Sequence, residues 1–582
     1  MGLFRRYENN NLPINKLPVE IISRIFRFAV APNPDVLGDP SEQVYLAITI
    51  AEVCSRWRTI ALEDPSLWYH IVDSNRIQPI DPRLILERSG TSTLHVHTVV
   101  PHEKAGAIPH HVLETFPERV QALHLTIPIQ SADVLNTLKR LPPLLALDLL
   151  TIRAPDQGNG DGRIEEVSPQ WPLLFSGETP KLCALHLGPG IQFIPGNRFP
   201  VLAHLRLTRL PKPTLTVDKL VRLLSNCPQL VTLQVDGSPI EPASAEFTAN
   251  MKLISLPLMQ ALWINLARVA PVFAIIACLE FPSNVNIRLS NLIASRGDYN
   301  DHTFGNAQPP VLITPLPALR NIEGLTHLDV LEWLPYGELE ENNPLYTRPV
   351  NFHFIARGPQ AALWIHFATG HYGPRSAVAR ILPDLYALLP TEDLTSLQVS
   401  VVDPSHIAHV ASLLEGAPRL RTFALRGKYS RRDGETQEGL DVLARTLTPT
   451  PPIQDSEVAR VPAPMLESLS IDMQDVSITS SEACVRMVEQ RALCGHPLRS
   501  ISLVIPVPSP KEDGEDEMPA PLRTGLKGDV EHDPEALWKL WRSQGIAPTF
   551  TNVKNDYWRL WTGWGRHSFH GLPTESNSQS YM

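Results

Sequence analysis

The chain has 582 residues, of which 43% are hydrophobic and 19% charged, with a formal net charge of −10. That length exceeds what one compact core supports, and the apolar content excludes a chain disordered throughout. The negative balance weighs against a nucleic-acid binder relying on a strong global positive field, and the longest apolar run, 269–279, falls short of the ~20 residues a membrane span needs.

Residues 1–12 are polar and read as a flexible N-terminus without a signal peptide's apolar run. Residues 13–72 read as a compact helical unit. Ile21, Ile22, Ile25, Phe26 and Ala29 recur at helical spacing, with Pro18 suited to the first turn and Pro32 and Pro34 ending the helix. Ser41 is the expected N-cap of a second helix through Val44, Leu46, Ala47 and Ile48. Val53, Trp57, Ile60 and Ala61 form the stripe of a third, which Pro65 stops; Leu67, Trp68 and Ile71 close the small core.

The order Leu17-Pro18-x-x-Ile21-Ile22-x-x-Ile25-Phe26, then Val53-Cys54-x-x-Trp57-Arg58-x-x-Ala61, then Pro65-x-Leu67-Trp68 resembles the F-box motif. The stretched loop from Pro32 to Pro40 resembles the F-box-like domains of mushroom-forming fungi. The resemblance covers about a tenth of the chain. It implies a three-helix module that docks the Skp-type adaptor of a cullin-scaffolded ubiquitin ligase. Adaptor contact would then fall to Leu17, Pro18, Ile21, Ile25, Val53, Cys54 and Trp57, the same residues that would otherwise be plain core.

From 80 to 505 one phrase recurs: Pro, one or two residues, then Leu-x-x-Leu-x-Leu. It stands at Pro180–Leu187, Pro200–Leu207, Pro228–Val235, Pro418–Leu425 and Pro497–Leu503, with looser copies ending at Leu125, Leu149, Ile264, Leu289, Val330, Val399 and Ile471. The closing Leu-x-Leu has the period of a strand. Helical patterns precede several copies, at 133–140, 217–225, 407–415 and 482–490. Helix, Pro-marked turn and short strand, repeated, is the unit of a leucine-rich-repeat solenoid. The expected fold is therefore α/β overall: an N-terminal three-helix F-box-like module followed by an irregular leucine-rich-repeat-like αβ solenoid. The span from Leu328 to Leu397 lacks a clear phrase, and 352–355 and 363–367 are candidate strands within it. A Rossmann-type sheet is the rival architecture, without a G-x-G-x-x-G fingerprint to support it.

Polar inserts at 155–168, 295–310, 336–349 and 427–464 read as surface loops. Residues 506–531 read as an acidic disordered linker. Residues 532–582 form a Trp-rich tail with an amphipathic helical pattern at 534–543, suited either to capping the end of the solenoid or to binding a partner.

On the repeat reading, the residue between each closing pair points to the concave side. His124, His186, Arg206, Gln234, Trp263 and Arg288 are the expected contacts to a protein substrate, on the same stripe as Asp148, Asp329 and Gln398. The loop 157–168 lacks two ligands of a calcium loop, and His95 and His97, which share one strand face and are followed by His110 and His111, have no clear third ligand nearby. The six cysteines are scattered without a CxxC pair and read as reduced thiols. No metal or cofactor is expected, and no Walker, H-E-x-x-H or G-x-S-x-G motif suggests an enzyme. The expected function is substrate recognition within a Skp–cullin–F-box ligase, in the cytoplasm or nucleus, with no nucleic-acid or membrane partner. Two rivals stand beside it: a repeat scaffold whose helices only cap the solenoid, and a cryptic enzyme in the αβ region.

Overall fold

A computed structural model describes residues 12–30, 40–73, 81–99, 112–126, 141–154, 171–211, 214–243, 253–293, 323–333, 351–368, 389–401, 406–427, 441–449, 461–473 and 478–504. The fold is mixed α/β, and it divides into two compact units, with the break between Glu241 and Pro242. The acidic linker and Trp-rich tail lie outside the described residues, as do the loop at 31–39 and the inserts at 155–168, 295–310 and 336–349.

The first unit opens with the helices. A 3-10 turn, Pro13–Lys16, leads to α1 (Val19–Val30), α2 (Pro40–Val53) and α3 (Ser55–Glu63). Ile22, Phe26 and Val30, four residues apart on α1, pack with Val44, Ala47 and Ala51 of α2 and with Ile60 and Ala61 of α3. Ser41 lies inside the first turn of α2 rather than capping it, because the helix starts at Pro40, whose missing N–H is harmless at that position. Cys54 caps α3 instead, its Sγ accepting from the Trp57 N–H at 3.4 Å. Trp68 is buried, and its indole N–H donates to Ala61 O at 2.7 Å, tying the closing segment to α3.

The sheet starts earlier than the repeat phrase suggests, inside the span read as purely helical. Its strands are β1 (His70–Asp73), β2 (Leu94–Val99), β3 (Val120–Thr126), β4 (Leu149–Arg153), β5 (Ala184–Leu187), β6 (His204–Thr208) and β7 (Thr232–Asp236). Each pairs in parallel with the next in sequence. Helices α2 and α4 (Pro82–Arg88) pack against β1. On one face Leu123, Leu125, Leu150, Ile152, Leu185, Leu187, Leu205, Leu207, Leu233 and Val235 form a continuous core, joined by Leu220, Leu223 and Leu224 of α5 (Val217–Ser225).

The Pro-x-Leu phrase is a turn. In Thr179–Leu182, Phe199–Leu202, Cys227–Leu230, Ala417–Leu420 and Ala463–Leu466, the leucine N–H donates to the carbonyl three residues back, at 3.3, 3.5, 3.2, 3.2 and 3.0 Å. Proline sits second, where its fixed φ pre-sets such a turn, and the leucine that closes it is buried. The four-residue signal is therefore local turn chemistry plus one core contact.

The second unit holds β8 (Ala261–Asn265), β9 (Asn286–Ile293), β10 (His327–Trp333), β11 (Asn351–Arg357), β12 (Ala362–Ala368), β13 (Ser396–Val401), β14 (Thr422–Gly427), β15 (Ser468–Met473) and β16 (Ser500–Val504). Spatial order is β8-β9-β12-β11-β10-β13-β14-β15-β16. The candidate strands at 352–355 and 363–367 both exist, as β11 and β12. They are antiparallel to each other, and β11 is antiparallel to β10 as well, so the parallel run reverses here. Helices α6 (Val269–Ala277), α7 (His406–Glu415) and α8 (Ile478–Leu493) precede β9, β14 and β16. The expected patterns at 217–225, 407–415 and 482–490 all fall in helices; the one at 133–140 lies outside the described residues. The insert at 427–464 is not wholly loop, since 441–447 is helical and buries Leu443, Ala444 and Leu447.

Candidate functional site

Helix α1 is apolar on two sides. Ile22, Phe26 and Val30 build the core, whereas Ile21, Ile25 and Phe28 stand 44%, 40% and 72% exposed along the opposite edge. Helical geometry brings residues three and four apart onto one stripe, so these three share a face. Val19, Leu12 and Ile14 extend the exposed apolar area at its N-terminal end, and Val53, at the end of α2, is exposed too.

The seven residues expected to touch an adaptor sort by burial. Pro18, Ile21, Ile25 and Val53 are exposed; Leu17, Cys54 and Trp57 are half-buried. Two hydrogen bonds pin the entry turn to α3: Arg56 Nη2 donates to Leu17 O at 2.8 Å, and the Trp57 indole N–H donates to Asn15 Oδ1 at 2.7 Å. Trp57 also lies against Phe26, with ring centroids 4.9 Å apart. Leu17 and Trp57 are therefore brought together, one as rim and one as part-core.

A second fixture, which the stripe pattern does not reveal, holds α1 from its other side. Asp64 is buried just before the Pro65–Leu67 turn. Its carboxylate accepts from Ser23 Oγ, from Arg27 Nε at 2.9 Å and Nη2 at 3.2 Å, and from Ser66 N–H at 3.1 Å and Oγ at 2.6 Å. Burial alone would push this carboxyl up; the hydrogen bonds from Arg27, Ser23 and Ser66 outweigh it and hold it below the ordinary carboxylate range.

The expected substrate row is aligned but mostly covered. In the first unit, register runs His97, His124, Thr151, His186, Arg206, Gln234 across β2 to β7. His186, Arg206 and Gln234 are buried, and His124 is half-buried. His186 Nε2 lies 2.9 Å from Thr208 Oγ1. Asp148 is off the row: Thr151 takes the position beside His124, because Leu144 to Leu147 close a turn and β4 starts at Leu149. In the second unit, Trp263 and Arg288 are cross-strand neighbours and both half-buried. The Arg288 guanidinium lies between two indoles, 4.9 Å from Trp263 and 4.2 Å from Trp364. Asp329 pairs with Arg357.

Imidazoles crowd the start of the first sheet. His70 Nδ1 is 3.4 Å from His97 Nε2, His97 stacks on His124 at 4.3 Å, and His95 meets His70 edge-on at 5.1 Å. Burial holds His95 at about 4 and His124 at about 3, with His70 and His97 well below the ordinary histidine value. Among the described residues no group of three His, Cys, Asp or Glu side chains is arranged to hold a metal ion. None of the described helices is long and apolar enough to cross a membrane.

Residues 14–74 match the family model described as F-box-like. No curated protein matches the chain.

Proposed function

We propose that the chain is the target-recognition subunit of a Skp–cullin–F-box ubiquitin ligase. The helical module docks a Skp-type adaptor, which connects it to a cullin scaffold. The two sheet units act as an irregular leucine-rich-repeat-like solenoid that holds a protein target. Ligation chemistry belongs to the other subunits; this chain contributes proximity, raising the effective concentration of a target lysine near activated ubiquitin. The cytoplasm or nucleus is where such a complex would work.

The observation that carries the reading is the apolar edge of Ile21, Ile25, Phe28 and Val53, left open in a module that resembles an F-box-like domain. Capping the sheet accounts for the buried side of the module, where α2 packs on β1. It gives no reason for a second apolar side facing water, which a protein partner would bury. Leu17, Pro18, Cys54 and Trp57 would form the rest of the contact. On the target side, His124, Trp263 and Arg288 are the half-exposed members of the row. His186, Arg206 and Gln234 continue the first unit's row beyond His124 as its buried members.

The test is co-purification of the full chain with a Skp-type adaptor. Ile21→Glu with Ile25→Glu should weaken binding at least about a hundredfold, as expected for two central apolar anchors, while the far-ultraviolet circular dichroism stays unchanged. Failure of the unaltered chain to retain the adaptor, or equal retention by the double variant, would remove the proposal.

A further inference from the structure

The sheet of the second unit is closed strand by strand until its last member. At one register position of the core face, Phe423 on β14 and Leu469 on β15 are each 1% exposed, whereas Ile501 on β16 is 41% exposed. The neighbouring positions agree. The leucine two residues before the strand is buried at Leu420 and Leu466 but only half-buried at Leu498, and α8 ends on Leu493, 79% exposed. Among the described residues β16 is the end strand, so one row of its peptide groups lacks a strand partner. Proteins cover or blunt such ends, because an open apolar edge templates unwanted pairing. In the first unit the end strand β1 is covered: α2 and α4 pack on it and Ile71 is fully buried.

We propose that segment 534–543 of this same chain is the cover for the β16 end. The chain leaves the open edge at Val504 and continues to Met582, so the cover is tethered beside its site. Leu537, Trp538, Leu540 and Trp541 recur at i, i+1, i+3 and i+4, an apolar helical stripe, while Lys539 and Arg542 fall outside it. Each indole can bury about 150–250 Å² of ring surface against Leu493, Leu498 and Ile501. Treated as a coil, the intervening 505–533 spans about 30 Å, enough to fold back over a strand rising about 3.3 Å per residue. Such a tether gives an effective concentration of the order of millimolar. The same stripe on a second molecule at micromolar concentration competes poorly with it.

The experiment uses the full chain, reading hydrogen exchange over 498–504 and the labelling rate of the Cys494 thiol, which the described fold leaves exposed. With the cover in place both are slow. Trp538→Glu with Trp541→Glu should raise both by about tenfold or more. Lys539→Glu with Arg542→Glu should leave them unchanged. Protection of β14 amides in every variant separates loss of the cover from unfolding. If the double glutamate variant loses β14 protection as well, Trp538→Ala with Trp541→Ala takes its place, with the same expected direction. Equal exchange and labelling in the unaltered chain and the tryptophan variants overturn the proposal. Protection that fades on dilution would assign the edge to a second copy, and protection that arises only on adding another protein would assign it to that protein; either also overturns it.

Discussion

Asp64 shows how much one side chain organises the candidate docking surface. Five donors converge on its carboxylate, two from Arg27 and one from Ser23 on α1, two from Ser66 in the following turn. Asp64→Ala would strip the half-buried Ser23 and Ser66 of their acceptor, while the exposed Arg27 can turn to water, and should cost about 1–2 kcal/mol of stability, measured by urea unfolding and by exchange of the α1 amides. The pH dependence has a definite sign. The folded carboxyl titrates below its ordinary 3.8, so its stabilisation is complete above that value and is lost as pH falls through the folded one. Asp64→Asn should therefore flatten the acid limb below about pH 4, and an unchanged limb would count against the clamp. Little of this was legible in the chain as letters: Asp64 reads as an ordinary residue before a proline, because its partners are distant in sequence. Arg491 is a similar case. The amphipathic pattern of α8 suggests a surface position, yet Arg491 is fully buried and donates to the carbonyls of Leu447, Pro462 and Ala463. Ile21 and Ile25 were legible as apolar and helical, but which side of α1 met the core could not be told from spacing, since both sides are greasy.

At the scale of elements, the Pro-x-Leu turns and the Leu-x-Leu strands could be read directly, because their signals lie within about eight residues and rest on local backbone preferences. Phase was harder. In the run from Leu144 to Ile152 leucines stand at every phase, and only pairing with β3 settles that Leu150 and Thr151, not Leu147 and Asp148, hold the register. The imidazole pile on β1, β2 and β3 needed that pairing too. His70, His95, His97 and His124 face one another, with Tyr69 against His70 and His95 and the Arg153 charge nearby. All four are held below 6.5 in the fold, so the unfolded chain takes up protons first as pH falls. Stability should be full above about pH 6.5 and decline toward about pH 4, near where His95 titrates. Each pH unit costs about 1.4 kcal/mol per histidine that only the unfolded chain protonates. Replacing His97 and His124 by Gln should move the acid-unfolding midpoint of the first unit to lower pH, as followed by circular dichroism. A midpoint that stays put would mean the pile does not set the acid limit.

Over the whole molecule, the two units differ in how their strands are connected, and this decides how each should come apart. Strands β1 to β7 pair only with their sequence neighbours, so a lesion there has a short reach. In the second unit β9 pairs with β12 and β10 with β13, which locks residues 286 to 401 into one block around the reversed hairpin of β11 and β12. Strand order of this kind is invisible to spacing, because an antiparallel insert and two parallel repeats show the same apolar alternation; only the pairing partners distinguish them. Phe354, fully buried in β11 at the centre of the block, is the residue to test it. Phe354→Ala should cost about 3–5 kcal/mol, and Leu205→Ala on β6 about 2–5. Native-state hydrogen exchange should then diverge: the Phe354 variant loses protection together from β9 through β13, and the Leu205 variant chiefly on β5 to β7. If the Phe354 lesion stayed within β11 and β12, the reversal would be a surface excursion and not the tie that makes the block cooperative.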